Sequence, residues 1–396
     1  MTTRKEVMIV SGVRTAIGSF GGSLKDTAPC DLAAIAVGEA FKRAGINADQ
    51  AEQIVLGQVL HTEPRDMYVS RVAGIRAGMS HSSAALTLNR LCGSGLQAIV
   101  TAANAIQLGD AGIAVAGGVE VMSRAPFALP TMRWGARMGD ADAIDMMTGA
   151  LTDPFGAGHM GVTAENVAAK YEISRQSQDE FSLASHTKAL AAIDGGRFQE
   201  QIVPVALTAR GGPRAFETDE HPKRSTTLES LGSLRPAFKR EGGTVTPGNA
   251  SGINDGAAAC VLMSWECVAA NGVNALARIV SYAVAGVDPA LMGTGPIPAV
   301  AAALKRGGLR LADMDVIESN EAFAAQSLGV CKGLDLDPAR TNPNGGAIAL
   351  GHPLGASGAI ITVKCLYELM RTGGRYGLVT MCIGGGQGIA MVIERV

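Results

Sequence analysis

Along the first 121 residues, apolar runs suited to buried strands alternate with stretches of 3.6-residue periodicity. VMIVSG (7–12) and QIVLGQVL (53–60) predict strands, with LAAIAVGEAFKRAG (32–45) a helix between them. ALTLNRL (85–91) leads into a second helix, SGLQAIVTAANAIQLG (94–109), whose Gly109 suits a C-cap. IAVAGG (113–118) follows as another buried strand. From residue 272 the alternation starts again: ARIVSYAVAG (277–286), PAVAAALKRGG (298–308), VIESNEAF (316–323), SGAIITVKCLYELM (357–370), GLVTMCIGGG (377–386) and a terminal strand in IAMVIERV. Strands separated by helices imply parallel sheets covered by helices, an α/β fold.

The two stretches are related. AFKRAGI (40–46) returns as ALKRGGL (303–309), and CGSG (92–95) as GASG (355–358), both 263 positions later. MIVS (8–11) resembles RIVS (278–281) in the same order. Duplication is the economical reading, with halves at 1–121 (joined by about 251–271) and 272–396. The Gly- and Pro-richer stretch 122–250 between them is expected to be an inserted loop domain, the sort of excursion that forms lids and binding surfaces.

Composition narrows the function. Of 396 residues 47% are apolar, enough for a sizeable core, and the net charge is −2. That balance, with 4% aromatics, argues against nucleic acid and anionic membranes as partners. No run approaches a membrane span, and MTTRKEVMIVSG lacks the pattern of a secretory signal. The seven cysteines are widely spaced with no C-x-x-C pair, so neither a disulfide framework nor a zinc site is expected and a reducing, cytoplasmic setting fits.

Four places could carry chemistry. Cys92, in NRLCGSGLQAI, stands at a strand-to-helix junction, where a helix N-terminus lowers a thiol pKa and small neighbours let a carbonyl reach backbone N–H groups; the alternative is an inert buried thiol. Cys382 opens CIGGGQG after a strand. A phosphate loop would need Gly-Lys-Ser/Thr and a following helix, so a glycine-lined turn presenting a thiol is the simpler reading. His352 sits in NPNGGAIALGHPLGASGA, held by glycines and Pro353 in a tight loop that suits proton handling or oxyanion donation. Asn320 and Glu321 end a predicted strand, where α/β proteins collect functional groups; otherwise they are a helix cap and a helix-surface carboxylate. No histidines pair closely enough for a metal site.

Together these segments resemble the thiolase family over nearly the whole chain, from SGVRTAIGSFGGSLKD through NRLCGSGLQAI, GGVEVMSRAP, HMGVTAEN, GNASGINDGAAA and NEAFAAQ to NPNGGAIALGHPLGASGA and CIGGGQGIA. The resemblance implies a duplicated, layered αβαβα fold of two mixed sheets with a loop domain inserted in the first half. It implies an acyltransferase that condenses two acyl-CoA molecules reversibly to 3-ketoacyl-CoA and CoA, without metal or redox cofactor. In it Cys92 is the acyl acceptor and Cys382 the base for the second substrate. His352 activates Cys92 and binds a thioester oxygen, Asn320 holds a water completing that oxyanion site, and the N–H groups of Cys92 and Gly384 form a second one. Ser251, Leu151, His159, Met160 and Phe238 would line the pantetheine tunnel, Ala322 and Phe323 the acyl end, and Lys223 and Arg224 the nucleotide phosphates. Ala125–Asp140 resembles a loop that joins two dimers into a homotetramer. HTEPRDMY (61–68) is similar to bacterial β-ketothiolases that accept slightly longer chains. The rival readings are a long-chain degradative thiolase, a ketoacyl synthase (disfavoured by Cys382, where two histidines serve), a non-catalytic acyl-CoA carrier, and a nicotinamide oxidoreductase, which lacks its glycine fingerprint.

Overall fold

The computed structural model describes residues 5–209 and 212–396. Its main strands are β1 (Val7–Thr15), β2 (Gln53–Gly57), β3 (Ala84–Leu88), β4 (Ile113–Val121), β5 (Asn254–Ser264), β6 (Ala277–Gly286), β7 (Val316–Ser319), β8 (Tyr376–Ile383) and β9 (Gln387–Arg395). The main helices are α1 (Pro29–Ala44), α2 (Ser94–Leu108), α3 (Met160–Lys170), α4 (Arg175–Asp194), α5 (Pro296–Gly307) and α6 (Leu354–Thr372).

The strands lie in the order β7-β8-β9-β6-β1-β5-β4-β2-β3. Each half repeats one pairing scheme. β1–β5 and β5–β4 are antiparallel and β4–β2 parallel; β6–β9 and β9–β8 are antiparallel and β8–β7 parallel. The two expected mixed sheets are thus present, but a two-residue pairing of Met8 and Ile9 with Arg278 and Ala277 fuses them into one hydrogen-bonded sheet. In the second half β8 turns directly into β9. In the first half the chain leaves at the end of β4 and returns at β5. The intervening segment is more than loops: it carries α3 and the 20-residue α4.

The patterning explains the layers. β1, β4 and β5 are buried along their whole length, as continuous apolar runs require. α1 buries Leu32, Ala36, Val37, Ala40 and Phe41 at helical spacing and ends at Gly45, φ 71°. α2 ends at Gly109 with φ 88°, the cap expected there. α2 and α6 pack against each other and touch strands of both halves, while α1 and α5 cover the outer faces. Gly95 and Gly358, 263 positions apart, make that central contact possible. A Cβ on Gly95 would lie 2.8 Å from Ala359 N, and one on Gly358 2.3 Å from Leu96 N. Each repeat's glycine therefore makes room for the other repeat's helix. Among the described residues no helix is long and apolar enough to cross a membrane.

Candidate active site

The N-terminal ends of α2 and α6 bring two loops together. In the first, Leu91 adopts φ 46°, a left-handed conformation disfavoured for a branched residue, and turns Cys92 out of the chain path. Ser94 locks this turn: its Oγ donates to Leu91 O (2.7 Å) and accepts Arg90 N–H (2.8 Å). Gly93 is required because a Cβ would lie 2.5 Å from Ile383, at the end of β8. Cys382, 1% exposed, precedes Ile383, so the same contact brings the two thiol-bearing segments together.

In the second loop Gly351 takes φ 108°, and His352 N–H donates to Asn254 Oδ1 (3.0 Å) at the start of β5. Nδ1 of His352 lies 2.6 Å from Ser357 Oγ, whose single hydrogen is donated to Pro353 O (2.8 Å). Nδ1 must then carry the ring proton, leaving an Nε2 lone pair that has no protein partner. Glu120, from β4, accepts N–H bonds from Val59 (3.0 Å), Leu60 (3.0 Å) and Gly355 (2.8 Å), tying the first turn of α6 to the opposite half.

A cavity of about 580 Å³ opens between these loops. Cys92, His352, Cys382 and Gly384 line it, as do Leu151, His159, Met160, Lys223, Phe238, Ser251, Ala322 and Phe323. His159 caps α3 through Nδ1 (3.1 Å to Gly161 N) and stacks on Phe238 with centroids 4.7 Å apart. Ser251 N–H donates to Ala322 O (2.9 Å), joining the loop after Asn249 to the cavity wall at Ala322 and Phe323. Two residues singled out from sequence lie elsewhere. Arg224 pairs with Asp194 (2.9 Å) at the exposed surface, outside the cavity wall. Asn320, 2% exposed, lines a separate small cavity with Gly351, Ser357 and Lys364, its Nδ2 unpartnered. Asn320 is not part of the main cavity wall. Neither Asn320 nor Glu321 is a helix cap or helix surface: the next helix starts at Ala324, and both side chains are buried.

Electrostatics revise one expectation. Burial pushes the Cys92 thiol up to about 11, against the backbone N–H groups of Gly384 and Cys92 itself, which favour the thiolate. Desolvation outweighs the helix N-terminus, so the resting group is a neutral thiol rather than an activated thiolate. Burial also raises Cys382 well above the ordinary thiol range, with Cys92 adding to the shift. It lowers His352 to about 4, keeping the imidazole neutral. Glu120 is raised to about 7, again by burial. The cavity thus holds two neutral thiols, one basic imidazole nitrogen and two convergent N–H groups, the set needed to exchange acyl groups on sulfur.

Several contributors escaped sequence reading. Ser357 and Asn254 lie inside the quoted motifs GHPLGASG and NASGIND but have no chemistry of their own to announce them. Phe20 lines the cavity from within the quoted motif SGVRTAIGSFGGSLKD, and His221 and Met292 line it from segments with no motif.

A duplicated α/β fold with two thiols facing one cavity, a tautomer-fixed histidine and an N–H pair at Cys92 defines a thiol-dependent acyltransferase. Residues 7–266 match the family model "Thiolase, N-terminal domain", and 273–395 match "Thiolase, C-terminal domain". The chain belongs to the thiolase family. It is 59% identical over 392 residues to Beta-ketothiolase BktB of Cupriavidus necator, spanning 99% of this chain and 100% of that one. It is 50% identical to an acetyl-CoA acetyltransferase of Syntrophomonas wolfei, covering 98% and 99%. Among solved structures, Bacillus anthracis acetyl-CoA acetyltransferase superimposes with a TM-score of 0.97 at 45% identity over 100% of both chains. Human mitochondrial 3-ketoacyl-CoA thiolase does so with 0.97 at 44% over 99% of both.

Proposed function

We propose that the protein condenses two acetyl-CoA, or acetyl-CoA and a short acyl-CoA, reversibly to 3-ketoacyl-CoA and CoA through an acyl-Cys92 intermediate. The single observation that carries this reading is the convergence of Cys92, Cys382 and His352 Nε2 on one cavity with the Gly384 N–H aimed at Cys92. Cys92 attacks the thioester carbonyl as its proton passes to His352 Nε2, and the Cys92 and Gly384 N–H groups hold the oxyanion. CoA leaves as a thiol after taking the Cys382 proton. That leaves a Cys382 thiolate facing an imidazolium, a strong base made only once the enzyme is acylated. The thiolate removes an α-hydrogen from the second substrate, whose enolate oxygen is held by His352 and a water on Asn320. Each such donor is typically worth about 3–4 kcal/mol. The enolate carbon attacks acyl-Cys92, and the departing sulfur recovers its proton from His352. Side chains fill every acid, base and nucleophile role, so no metal or redox cofactor is assigned.

His159, Phe238 and Ser251 suit the pantetheine arm, and Lys223 supplies a cationic contact at the cavity mouth; Arg224 is left to Asp194. We assign residues 1–121 with 251–271, and 272–396, as the two duplicated halves, and 122–250 as the inserted CoA-binding domain. The protein is placed in the cytoplasm, in keeping with seven unpaired cysteines, and as a homotetramer through the 125–140 loop. A non-catalytic carrier is disfavoured because all three reacting side chains share one cavity. The resemblance of HTEPRDMY (61–68) to bacterial β-ketothiolases favours a range slightly beyond acetoacetyl-CoA over a long-chain degradative role. Thiolysis rates with CoA across 3-ketoacyl-CoA substrates of rising length test this. Activity through the next one or two lengths is expected, whereas a long-chain optimum would favour the degradative role, and no thiolysis by folded protein would revive the carrier.

A further inference from the structure

Glu321 follows Asn320 in the chain but takes no part in the wall of either cavity around His352. It is 2% exposed, and all its hydrogen-bonding capacity is directed at neighbouring segments. Oε2 accepts the Ser185 hydroxyl of α4 (2.6 Å) and Ile348 N–H (3.3 Å), and Oε1 accepts Asn342 Nδ2 (2.8 Å). Gly346 has no room for a side chain, because a Cβ would lie 2.1 Å from the Glu321 carboxyl carbon. Asn342 is itself held at φ 45°, and its side chain takes both Ser319 N–H (2.9 Å) and Ser319 O (2.8 Å). Asn320 N–H donates to Thr380 O (3.0 Å) on β8. Asn320 is therefore clamped on both sides, by Asn342 through Ser319 and by the Glu321 carboxylate. The same carboxylate grips residues 342–348, the stretch that runs on to His352.

We propose that Glu321 is the positioning residue of the enolate site, its carboxylate fixing Asn320 and the His352 loop as one unit. Two features argue that this goes beyond ordinary core packing. The anchor is an acceptor-only group meeting three donors, a match that glutamine cannot reproduce because its NH2 would face either Asn342 Nδ2 or the Ser185 and Ile348 donors. The unit it holds carries Asn320 Nδ2, a buried amide nitrogen without a hydrogen-bond partner, in the small cavity it shares with Gly351 and Ser357. The inference rests on the reading that Asn320 and His352 stabilise the enolate.

The test separates two partial reactions of the full-length enzyme. Exchange of labelled CoA into acetyl-CoA needs only acyl transfer to Cys92. Condensation, or deuterium uptake at the acetyl methyl group, also needs the enolate. E321Q is expected to slow the second by ~10–100-fold while leaving the first within about 3-fold, as loss of positioning rather than of a reacting group implies. In an N320A background the same change should cost nothing further on condensation. Equal loss of both partial reactions, or full additivity with N320A, would overturn the inference. N320A with undiminished condensation would instead overturn the Asn320 reading on which it stands. Should E321Q not fold, S185A removes one donor and keeps the carboxylate. The same selective slowing, smaller in size, is expected from S185A, and its absence would count against the proposal.

Discussion

Ser357 Oγ stands 2.6 Å from His352 Nδ1 and spends its own hydrogen on Pro353 O, 2.8 Å away. The hydroxyl thereby acts as a pure acceptor and decides which imidazole nitrogen is basic. S357A should let the ring adopt either tautomer and rotate, lowering kcat for thiolysis by ~10–100-fold with little change in KM. S357T keeps the hydroxyl and should restore most of the rate. Steady-state kinetics of the pair check this; equal impairment of both would mean that packing at position 357, not the hydrogen bond, is what counts.

Cys382 and Cys92 face one cavity, but the proposed mechanism gives them different work: Cys92 carries the acyl group and Cys382 moves protons. C382A should still form acyl-Cys92 when acetyl-CoA is added, visible as an acetyl mass increase on the Cys92 peptide. Condensation should fall by ~10²–10⁴-fold, the usual worth of a general base. C92A should form no adduct at all. Equal loss of acylation and condensation in C382A would sink this division of labour.

The neutral resting state has a pH signature. A thiol held near 11 has ~100-fold less thiolate at neutral pH than one at 9.0. Because the neutral form is favoured, alkylation of Cys92 by iodoacetamide should climb about tenfold per pH unit from 7 to 10 with no plateau. His352, held near 4, should add no inflection above pH 5. Peptide-resolved alkylation rates decide the matter. A plateau below pH 8 would mean that the helix N-terminus and its N–H groups overcome desolvation after all.

How much of this was legible in the sequence depends on where the information lies. Strands such as 277–286 and the helix ending at Gly109 could be read because their buried faces are apolar and their caps are local. Cys92, His352 and Cys382 stood out because glycine-rich turns frame groups with intrinsic chemistry. α4 did not, since the face it buries is largely polar: Gln178, Asp179, Ser182, Ser185 and His186. Its hydrogen bonds run to residues far along the chain, and periodicity carries no trace of them. The opposing pulls on the Cys92 thiol differ in the same way. A helix terminus is visible locally, whereas desolvation comes from the second half of the chain folding over the thiol. Arg224, a phosphate contact by resemblance, pairs at the surface with Asp194, thirty positions earlier, a contact that local sequence does not announce.

The 125–140 loop leaves an apolar surface that a lone chain has no use for. Trp134 is 88% exposed and Met138 99%, with Phe127 and Met132 beside them in sequence more than half exposed. Large apolar side chains gathered on one protruding loop mark an association surface. The short strand pairing of Phe127–Ala128 with Ile144–Asp145 closes the base of the loop. In the proposed dimer of dimers another copy would cover its tip. W134D, placing a charge at the tip, should convert the tetramer to dimers that keep most of their thiolysis activity, because no cavity residue comes from this loop. Light scattering on wild type and variant reads the mass directly. A wild-type mass below that of a tetramer, or an unchanged tetramer in W134D, would remove the loop from the assembly.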